Sequence, residues 1–405
     1  MSEREIRMIL PSPYVFFENN LKDLRPIPKH IFENLPAANL RLSNYNLEPI
    51  GSGPFKFDSF EKKRDGFITE YRLIRNERYF GQKPYLDKIV FGFYKNGSEL
   101  ADAMNSGAID GFGGLSHKDA KKVKINHQDF DIVMSKYYAV FLNSYAHPAL
   151  KEKNVRLALN YATDKKRIID KVFENYAFLA DGPIIPEMDS YFPDAGSAEN
   201  FSIEKANEIL DSSGWKINDD GIREKSIGGK KEPPLKLEFD LVIPQTQFLL
   251  DTVNIIKEDW AKAGVKLNPV IVPGSEIAND KIRTRNYEMI LFGNILGNNP
   301  DLFSFWHSSE KFFPGLNLSL YENRTVDSLI ESVRTDSNKN SRDLDLKSIQ
   351  LLIREDSPAI FLFSPYYIYV SKNWLNGFDE KFIPLPSDRF NNIEKWYVKT
   401  ARVFK

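Results

Sequence analysis

The feature that most constrains the fold is an alternation of strand and helix patterns between residues 235 and 295. "LKLEFDLVI", "VKLNPVIV" and "YEMILFGNI" have the apolar, β-branched and aromatic content that is typical of strands. Between them stand a helical pattern, "FLLDTVNIIKEDWAKAG", and a shorter one, "GSEIANDKIRTR". This βαβαβ order predicts a parallel sheet with crossover helices, because parallel neighbours require long connections.

The chain is too long for one hydrophobic core. It has 405 residues, whereas single cores stop growing at roughly 250–300 residues, so we expect two domains. Upstream, "FKFDSFEKKRDGFITEYRLIRN" predicts a hairpin that turns at Asp65-Gly66. Lys136–Tyr145 predicts a strand that enters a second region, and "AIFLFSPYYIYV" predicts a late strand. The pattern leaves open whether that late strand returns to the first region.

The sequence predicts further strands, helices and a turn. We predict strands at Ile6–Leu10 and Ala108–Phe112, and one long helical segment over "NVRLALNYATDKKRIIDKVF". "SIEKANEILDSSGW" predicts a helix with Ser202 as its N-cap and Gly214 as its end. "IGGKKEPP" predicts a surface turn. The chain therefore consists of two α/β regions.

Composition excludes several classes of site. Lys and Arg number 55 against 56 Asp and Glu, so no net field favours nucleic acid or an anionic membrane. The absence of cysteine removes disulfides, thiolate metal sites and cysteine nucleophiles. No apolar run is long enough to span a bilayer, and the N-terminus lacks the apolar core of a signal peptide.

No motif indicates catalysis. Gly51-Ser52-Gly53 is followed by Pro54 and a strand pattern rather than by a Lys and a helix, so it predicts a turn and no phosphate site. None of the five histidines lies three or four residues from another, as a helical metal pair would require. Asp219-Asp220 has the character of a surface turn. The sequence therefore predicts no enzyme, no metal and no cofactor.

One loop has the character of a ligand-binding wall. "GNNPDLFSFWHSSE", residues 297–310, follows the strand "YEMILFGNI", and α/β sheets place their ligands beyond the carboxyl ends of strands. Asn298 and Trp306 would supply polar and aromatic contacts. The alternative is a loop that its aromatic side chains anchor in the core. Position alone favours neither interpretation.

Five segments together resemble one family. They are "PIGSGPFKF", "NVRLALNYATDKKRIID", "KANEILDSSGWKINDDGIREK", the strand–helix–strand from "LKLEFDLVI" to "AGVKL", and "NPDLFSFWHSS" with its continuation to "SVRT". In this order and spacing they resemble the family 5 extracellular solute-binding proteins, the oligopeptide-, dipeptide- and nickel-binding receptors of bacterial ABC importers. The resemblance covers nearly all of the chain.

The resemblance implies a two-lobed α/β fold of the periplasmic-binding-protein type, in the large peptide-binding class called type II. It implies that residues 1–45 are the end of an additional subdomain and that 46–136 form the first lobe. Residues 137–365 would form the second lobe, and 366–405 would return to the first. Complete members begin with a signal or lipoprotein peptide and a long further segment, so we expect this chain to be N-terminally truncated.

The resemblance also implies a ligand site in the cleft between the lobes. The strand Leu291–Leu296 would act as an edge strand that pairs with an extended ligand. Peptide-binding members place an aspartate where this chain has Leu296, and that carboxylate pairs with the amino terminus of the peptide. This chain departs from that pattern. Because an unpartnered ammonium is costly to bury, we expect no anchoring of an amino terminus at this position. The ligand would then be held mainly by main-chain hydrogen bonds, or it would not be a peptide. The predicted site residues are Tyr137, Tyr138, Asn143, Gly293, Asn294, Leu296, Asn298, Trp306, Tyr366 and Tyr367.

The implied function is substrate capture for an ABC importer, with peptides as ligands and permease subunits as partners. The protein would be a monomer located in the periplasm or outside the cell, anchored as a lipoprotein in its full-length form. Alternatives are a receptor of the same fold for an oligosaccharide or a metal chelate, and a peptide-binding sensor or chaperone without a role in transport.

Overall fold

The computed structural model describes residues 5–22, 24–193, 201–227 and 233–399. Within them, no helix combines the length and the apolar character needed to cross a bilayer. The chain divides into two compact units. The first unit combines Met1–Asn20 with Met134–Tyr366, and the second combines Leu21–Val133 with Tyr367–Lys405. The domain boundaries implied by the family resemblance stay a prediction.

The described chain contains both helices and strands, in isolated pairs and in longer runs of one type. The helices are α1 Phe17–Leu21, α2 Lys29–Phe32, α3 Gly97–Asn105, α4 His117–Ala120, α5 Lys153–Tyr161, α6 Lys165–Phe173, α7 Ile203–Ser212, α8 Gln247–Lys262, α9 Gly274–Glu276, α10 Phe303–Trp306, α11 Arg324–Thr335 and α12 Lys339–Asp356. The strands are β1 Phe55–Lys62, β2 Ile68–Arg75, β3 Lys88–Gly92, β4 Gly111–Leu115, β5 His127–Met134, β6 Lys136–Leu142, β7 Ala177–Leu179, β8 Lys216–Ile217, β9 Arg223–Lys225, β10 Leu235–Lys236, β11 Glu238–Pro244, β12 Lys266–Val272, β13 Met289–Ile295, β14 Ala359–Pro365, β15 Tyr367–Lys372, β16 Leu375–Asn376, β17 Phe382–Ile383 and β18 Tyr397–Val398.

The first unit is built on a six-stranded sheet with the order β12-β11-β13-β6-β14-β7. β11 pairs in parallel with β12 on one side and with β13 on the other, which confirms the predicted βαβαβ arrangement. β6 is antiparallel to both of its neighbours, β13 and β14. The sheet is therefore mixed, and its central strands carry the residues from which the candidate site is built.

The core of the first unit lies between this sheet and helices α5 to α8. Trp215, Phe239 and Trp260 are fully buried there, and each such side chain contributes roughly 1.5–3 kcal/mol by leaving water. The Trp260 indole donates to the hydroxyl of Thr163 at 2.9 Å. At the start of α7, Ser202 accepts a hydrogen bond from the Lys205 amide, as its N-cap position predicted.

Among its described residues, the second unit contains three smaller sheets, with the orders β1-β2-β3, β17-β5-β15-β4 and β16-β18. β1 and β2 form the predicted hairpin, and at its turn the Asp65 carboxylate accepts from the Phe67 amide at 3.0 Å. The late strand β15 pairs with β4 and β5. The question that the sequence pattern left open is thereby settled, because this strand joins the sheet of the earlier region.

Several predicted elements differ from the structure. Residues Ile6–Leu10 form no strand, because no described strand pairs with them. The side chain of Ile6 is 82% exposed. The strand expected at Ala108–Phe112 is displaced to Gly111–Leu115. The long helix after Asn154 divides in two because Asp164 caps a new helix by accepting from the Arg167 amide.

Two predicted strands also differ from the structure in where they end. The predicted strand Lys136–Tyr145 ends at Leu142. "AIFLFSPYYIYV" contributes two strands to two different sheets, with the division at Tyr366. Most of the predicted turn "IGGKKEPP" lies outside the described residues.

Candidate ligand-binding site

The candidate site centres on two antiparallel strands, β6 and β13. Their register pairs Tyr137 with Asn294 and Tyr138 with Gly293. Successive side chains of a strand point to opposite faces of the sheet. The structure therefore brings the predicted residues together in two pairs, one on each face, rather than on one common wall.

On the first face, Tyr137 and Asn294 form a buried polar pair. The Asn294 Nδ2 donates to the Tyr137 hydroxyl oxygen at 2.9 Å. Burial raises the pKa of Tyr137, and the hydrogen bond from Asn294 opposes that shift only in part. Tyr137 is fully buried and Asn294 nearly so. The pair therefore stays neutral and holds the two strands in register beneath the sheet surface.

Trp306 belongs to the same buried cluster. It is completely buried, and its ring packs against Phe141, Tyr321 and Phe361 at centroid distances of 6.3, 6.2 and 5.7 Å. Its indole N–H lies near enough to the Tyr137 hydroxyl to lower the pKa of that group, against the larger effect of burial. Within the described residues, however, that N–H has no partner with hydrogen-bond geometry. The structure places Trp306 in the core, the alternative that position alone left open.

On the second face, the Tyr138 ring lies directly on Gly293. A Cβ at position 293 would come within 2.9 Å of Tyr138 Cε1, which is closer than real contacts allow. Phe248 and Phe363 pack against the same ring at 5.3 and 5.6 Å, and the Lys136 ammonium lies 5.7 Å from its centroid. A side chain at position 293 would therefore displace the Tyr138 ring, so this position favours glycine.

β13 is not an edge strand, contrary to the expectation from the family resemblance. It lies third in the sheet, with β6 along its whole length. Its ladder with β11, however, ends at the pair between Val242 and Ile290. β11 itself ends two residues later at Pro244, which has no N–H to donate. Beyond Ile290, the side of β13 that faces away from β6 therefore has no described strand beside it.

The hydrogen-bond pattern shows which groups face that side. The Leu296 amide donates to the Ser135 carbonyl, and in an antiparallel ladder alternate residues bond to the same partner. Asn294 and Leu296 consequently face β6, whereas Gly293 and Ile295 direct their N–H and C=O groups away from it. The Ile295 side chain is 49% exposed. In the stretch from Gly293 to Ile295, the N–H and C=O groups of these two residues therefore face no described strand.

The loop after β13 begins with Leu296, Gly297 and Asn298. Leu296 is 7% exposed, so its side chain belongs to the interior. Gly297 has a φ of 73°, which glycine adopts at little cost. Asn298 lies in the turn that follows, with its side chain exposed.

Asn143 lies elsewhere in the first unit. It is six residues from Tyr137, a separation of about 20 Å along an extended strand. Its side chain is buried, donates to the Tyr287 carbonyl at 2.8 Å and accepts from the Tyr145 amide at 3.0 Å. These bonds give Asn143 a structural role in holding the connection before β13. The structure does not bring it together with Tyr137.

The two predicted tyrosines at the return of the chain belong to different units. In the first unit, the half-buried Tyr366 donates its amide to the Tyr176 carbonyl at 3.2 Å, and its ring lies 5.6 Å from Phe178. In the second unit, Tyr367 is buried in β15, with the Arg389 guanidinium 5.7 Å from its ring.

Sequence reasoning missed Asp301, which lies in the loop 297–310 that follows β13. Its carboxylate accepts from the hydroxyl of Tyr14 at 2.7 Å and pairs with Arg334 at 3.2 Å. Burial, with the Asp301 carboxylate as a further cause, raises the pKa of Tyr14 to about 12. The partners are separated by 287 residues in the sequence, so no local pattern could have indicated the contact. Among the described residues there is no group of three or more side chains arranged to hold a metal.

Comparison with known proteins decides the family. The model for bacterial extracellular solute-binding proteins, family 5, middle region, matches residues 1–312. The chain belongs to this family of solute-binding proteins. The resemblance recognised in the sequence is thereby confirmed.

Relatives and a solved structure agree with this assignment. The chain is 29% identical over 391 residues to the oligopeptide-binding protein AppA of Bacillus subtilis, covering 95% of this chain and 68% of AppA. It is 26% identical over 343 residues to the probable di/tripeptide-binding protein 5 of Pseudomonas aeruginosa, covering 82% of this chain and 60% of that protein. The structure of B. subtilis AppA in complex with a nonapeptide matches with a TM-score of 0.76 and 27% identity, over 96% of this chain and 75% of that one. The α/β fold class of this family is therefore confirmed.

Proposed function

We propose that the protein is the substrate-binding component of an ABC importer and that it captures peptides. Membership of the family supports this proposal, as do the relatives whose names specify oligopeptides or di- and tripeptides. In this role the protein works outside the cytoplasm and delivers its ligand to permease subunits without chemical turnover. The monomeric state and the lipoprotein anchor implied by the resemblance stay predictions.

The observation that carries the proposal is the main chain of β13 at Gly293 and Ile295, which faces no described strand on the side away from β6. An extended peptide that lies beside these residues would continue the sheet through N–H and C=O bonds. Such bonds use groups that every residue has, so they give affinity without demanding a particular side-chain sequence. A receptor that must accept many peptides requires this kind of recognition.

The predicted site residues take two proposed roles. Those with remaining accessible surface in the first unit are proposed as ligand contacts, namely Tyr138, Gly293, Asn298 and Tyr366. Those that are nearly or fully buried are proposed to support the strand and the loop, namely Tyr137, Asn143, Asn294, Leu296 and Trp306. Tyr367 of the second unit stays a predicted contact.

Leu296 bears on how the ligand is held. A leucine whose side chain is buried offers no charge to the amino terminus of a peptide, and a buried ammonium without a partner is costly. We therefore propose that the amino terminus of the ligand is not held at position 296 and that main-chain pairing supplies most of the affinity.

The test is a thermal-shift and calorimetric screen of the purified protein against mixed peptide pools, oligosaccharides and metal chelates. A peptide at 100 times its Kd should stabilise the folded state by about 2.7 kcal/mol. If peptides cause no shift while an oligosaccharide or a chelate does, the peptide proposal fails. Turnover of peptides or esters by the same preparation would contradict the non-enzymatic role.

The coupling to transport is tested separately. Genes for permease and ATPase subunits beside this one, and loss of peptide uptake when this gene is deleted, are the expected findings. Peptide binding without any effect of the deletion on uptake would favour the sensor or chaperone alternative.

A further inference from the structure

A column of stacked side chains connects the N-terminal segment to the loop that follows β13. The Arg334 guanidinium, at the end of α11, lies 5.0 Å from the ring centroid of Tyr14 and 4.2 Å from that of Phe303. Phe303 in turn stacks on His307 at 4.4 Å with an interplanar angle of 19°. A planar cation between two aromatic rings is a favourable arrangement that a lysine could not reproduce.

Asp301 is the polar centre of this column. Its Oδ2 accepts from the Tyr14 hydroxyl and forms the ion pair with Arg334. Its Oδ1 accepts from the Phe303 amide at 3.1 Å, at the start of α10. The Asp301 amide donates to the side chain of Asn299 at 3.0 Å. One carboxylate thus connects Tyr14 and Arg334 to the backbone of the loop.

The N-terminal segment makes further contacts at this point. The Val15 amide donates to the Arg334 carbonyl at 2.9 Å, and the Phe16 ring is buried with its centroid 5.9 Å from that of Tyr14. Before it, Ile6 and Ile9 are highly exposed. The contact of residues 14–16 with Asp301 and Arg334 is therefore confined to a small region of the structure. It joins parts of the chain that are remote in sequence.

We infer that Tyr14 and Arg334 are positioning residues for ligand capture, because they fix the loop 297–310 through Asp301. The inference rests on the proposed function, since that loop carries the proposed contact Asn298 and the supporting Trp306. Helix α10 ends at Trp306, whose ring packs against Phe141 of β6, the strand that pairs with β13. Release of Tyr14 would loosen the start of α10 and with it the end of β13.

The experiment compares Tyr14→Phe with a matched control, Tyr191→Phe, in the full chain. Tyr191 donates to the Asp181 carboxylate at 3.1 Å in the same unit, so the control removes the same type of bond at a different place. Hydrogen exchange of the Phe303 amide should be faster by roughly fivefold or more in Tyr14→Phe, which corresponds to the loss of about one hydrogen bond. It should be unchanged in Tyr191→Phe.

A second measurement gives the affinity for a peptide that the wild-type chain binds. The inference predicts a weaker Kd in Tyr14→Phe and in Arg334→Lys, with Tyr191→Phe equal to wild type. It is overturned if exchange at Phe303 does not change, if the control changes equally, or if exchange rises while the Kd stays the same. If wild type binds no peptide, the proposed function has failed, and hydrogen exchange alone then decides whether Tyr14 positions the loop.

Discussion

Replacing Tyr137 by Phe should destabilise the protein, because the change removes one oxygen from a site that water does not reach. The Asn294 Nδ2 donates to that oxygen at 2.9 Å, and both residues are buried. The variant leaves the amide N–H without its partner, and an unsatisfied buried polar group costs about 1–3 kcal/mol. For a folding unit of this size, that loss lowers Tm by roughly 2–12 °C.

Tyr138→Phe is the matched control. Tyr138 is the next residue of the same strand, but its side chain lies on the opposite face and is only partly buried. In the part of the chain that the structure describes, its hydroxyl makes no hydrogen bond to protein. Loss of that hydroxyl should change stability by no more than about 0.5 kcal/mol.

Urea and thermal unfolding at neutral pH measure both variants. Burial raises the pKa of Tyr137 above its ordinary value near 10, so the phenol stays neutral and the difference from wild type should be constant between pH 6 and 9. Asn294→Ala combined with Tyr137→Phe should cost less than the sum of the single changes, because both remove the same bond. The reasoning is refuted if the two tyrosine variants lose equal stability. It is also refuted if Tyr137→Phe weakens peptide binding without lowering stability.

Three further predictions concern the same region. Gly293→Ala should cost about 1–3 kcal/mol in unfolding experiments, because the added Cβ would displace the Tyr138 ring; Gly51→Ala, where no atom lies within 4 Å, should be nearly neutral. Folding raises the pKa of Tyr14 from 10 to about 12, so its neutral phenol contributes fully below pH 10 and that contribution is lost as pH rises through 12. In denaturant titrations at a series of pH values, the stability difference between wild type and Tyr14→Phe should therefore be constant below pH 10 and shrink above it. A constant difference up to pH 12 would contradict the assignment. Acetylation of a peptide's amino terminus should leave its calorimetric Kd unchanged, because Leu296 offers no charge there; a large loss of affinity would show that the ammonium is bound.

Local patterns predicted the regular parts of the fold. The alternation between residues 235 and 295 specified both the parallel pairing and the crossover helix α8, because long periodic segments leave few alternatives. Cap residues were equally informative at the ends of helices. Ser202 accepts from the Lys205 amide, and Gly214 has a φ of 84° after α7.

The failures have identifiable causes. Asp164 could have been recognised as an N-cap that divides the predicted long helix, but helical periodicity continued across it. Alternation along a strand could have shown that Tyr137 and Tyr138 face opposite sides of the sheet. The expected edge strand required knowledge of which strand neighbours β13, and that depends on pairing with the distant β6.

Contacts between remote segments remained beyond sequence reasoning. Asn143 had the composition of a ligand contact, but its amide is used by the carbonyl of Tyr287 and the amide of Tyr145. Tyr14 and Asp301 are separated by 287 residues in the sequence. In both cases the deciding partner lies in a loop whose position no local pattern specifies.

The central claim is that peptides bind by main-chain pairing with β13 at Gly293 and Ile295. The most direct measurement is a calorimetric titration with one binding peptide, its sequence-scrambled form, and forms N-methylated at single successive amides. The account predicts that scrambling preserves affinity within about one order of magnitude, whereas methylation at alternate amides, those that face β13, abolishes binding. Binding that tolerates methylation at every amide but is lost on scrambling would contradict the account.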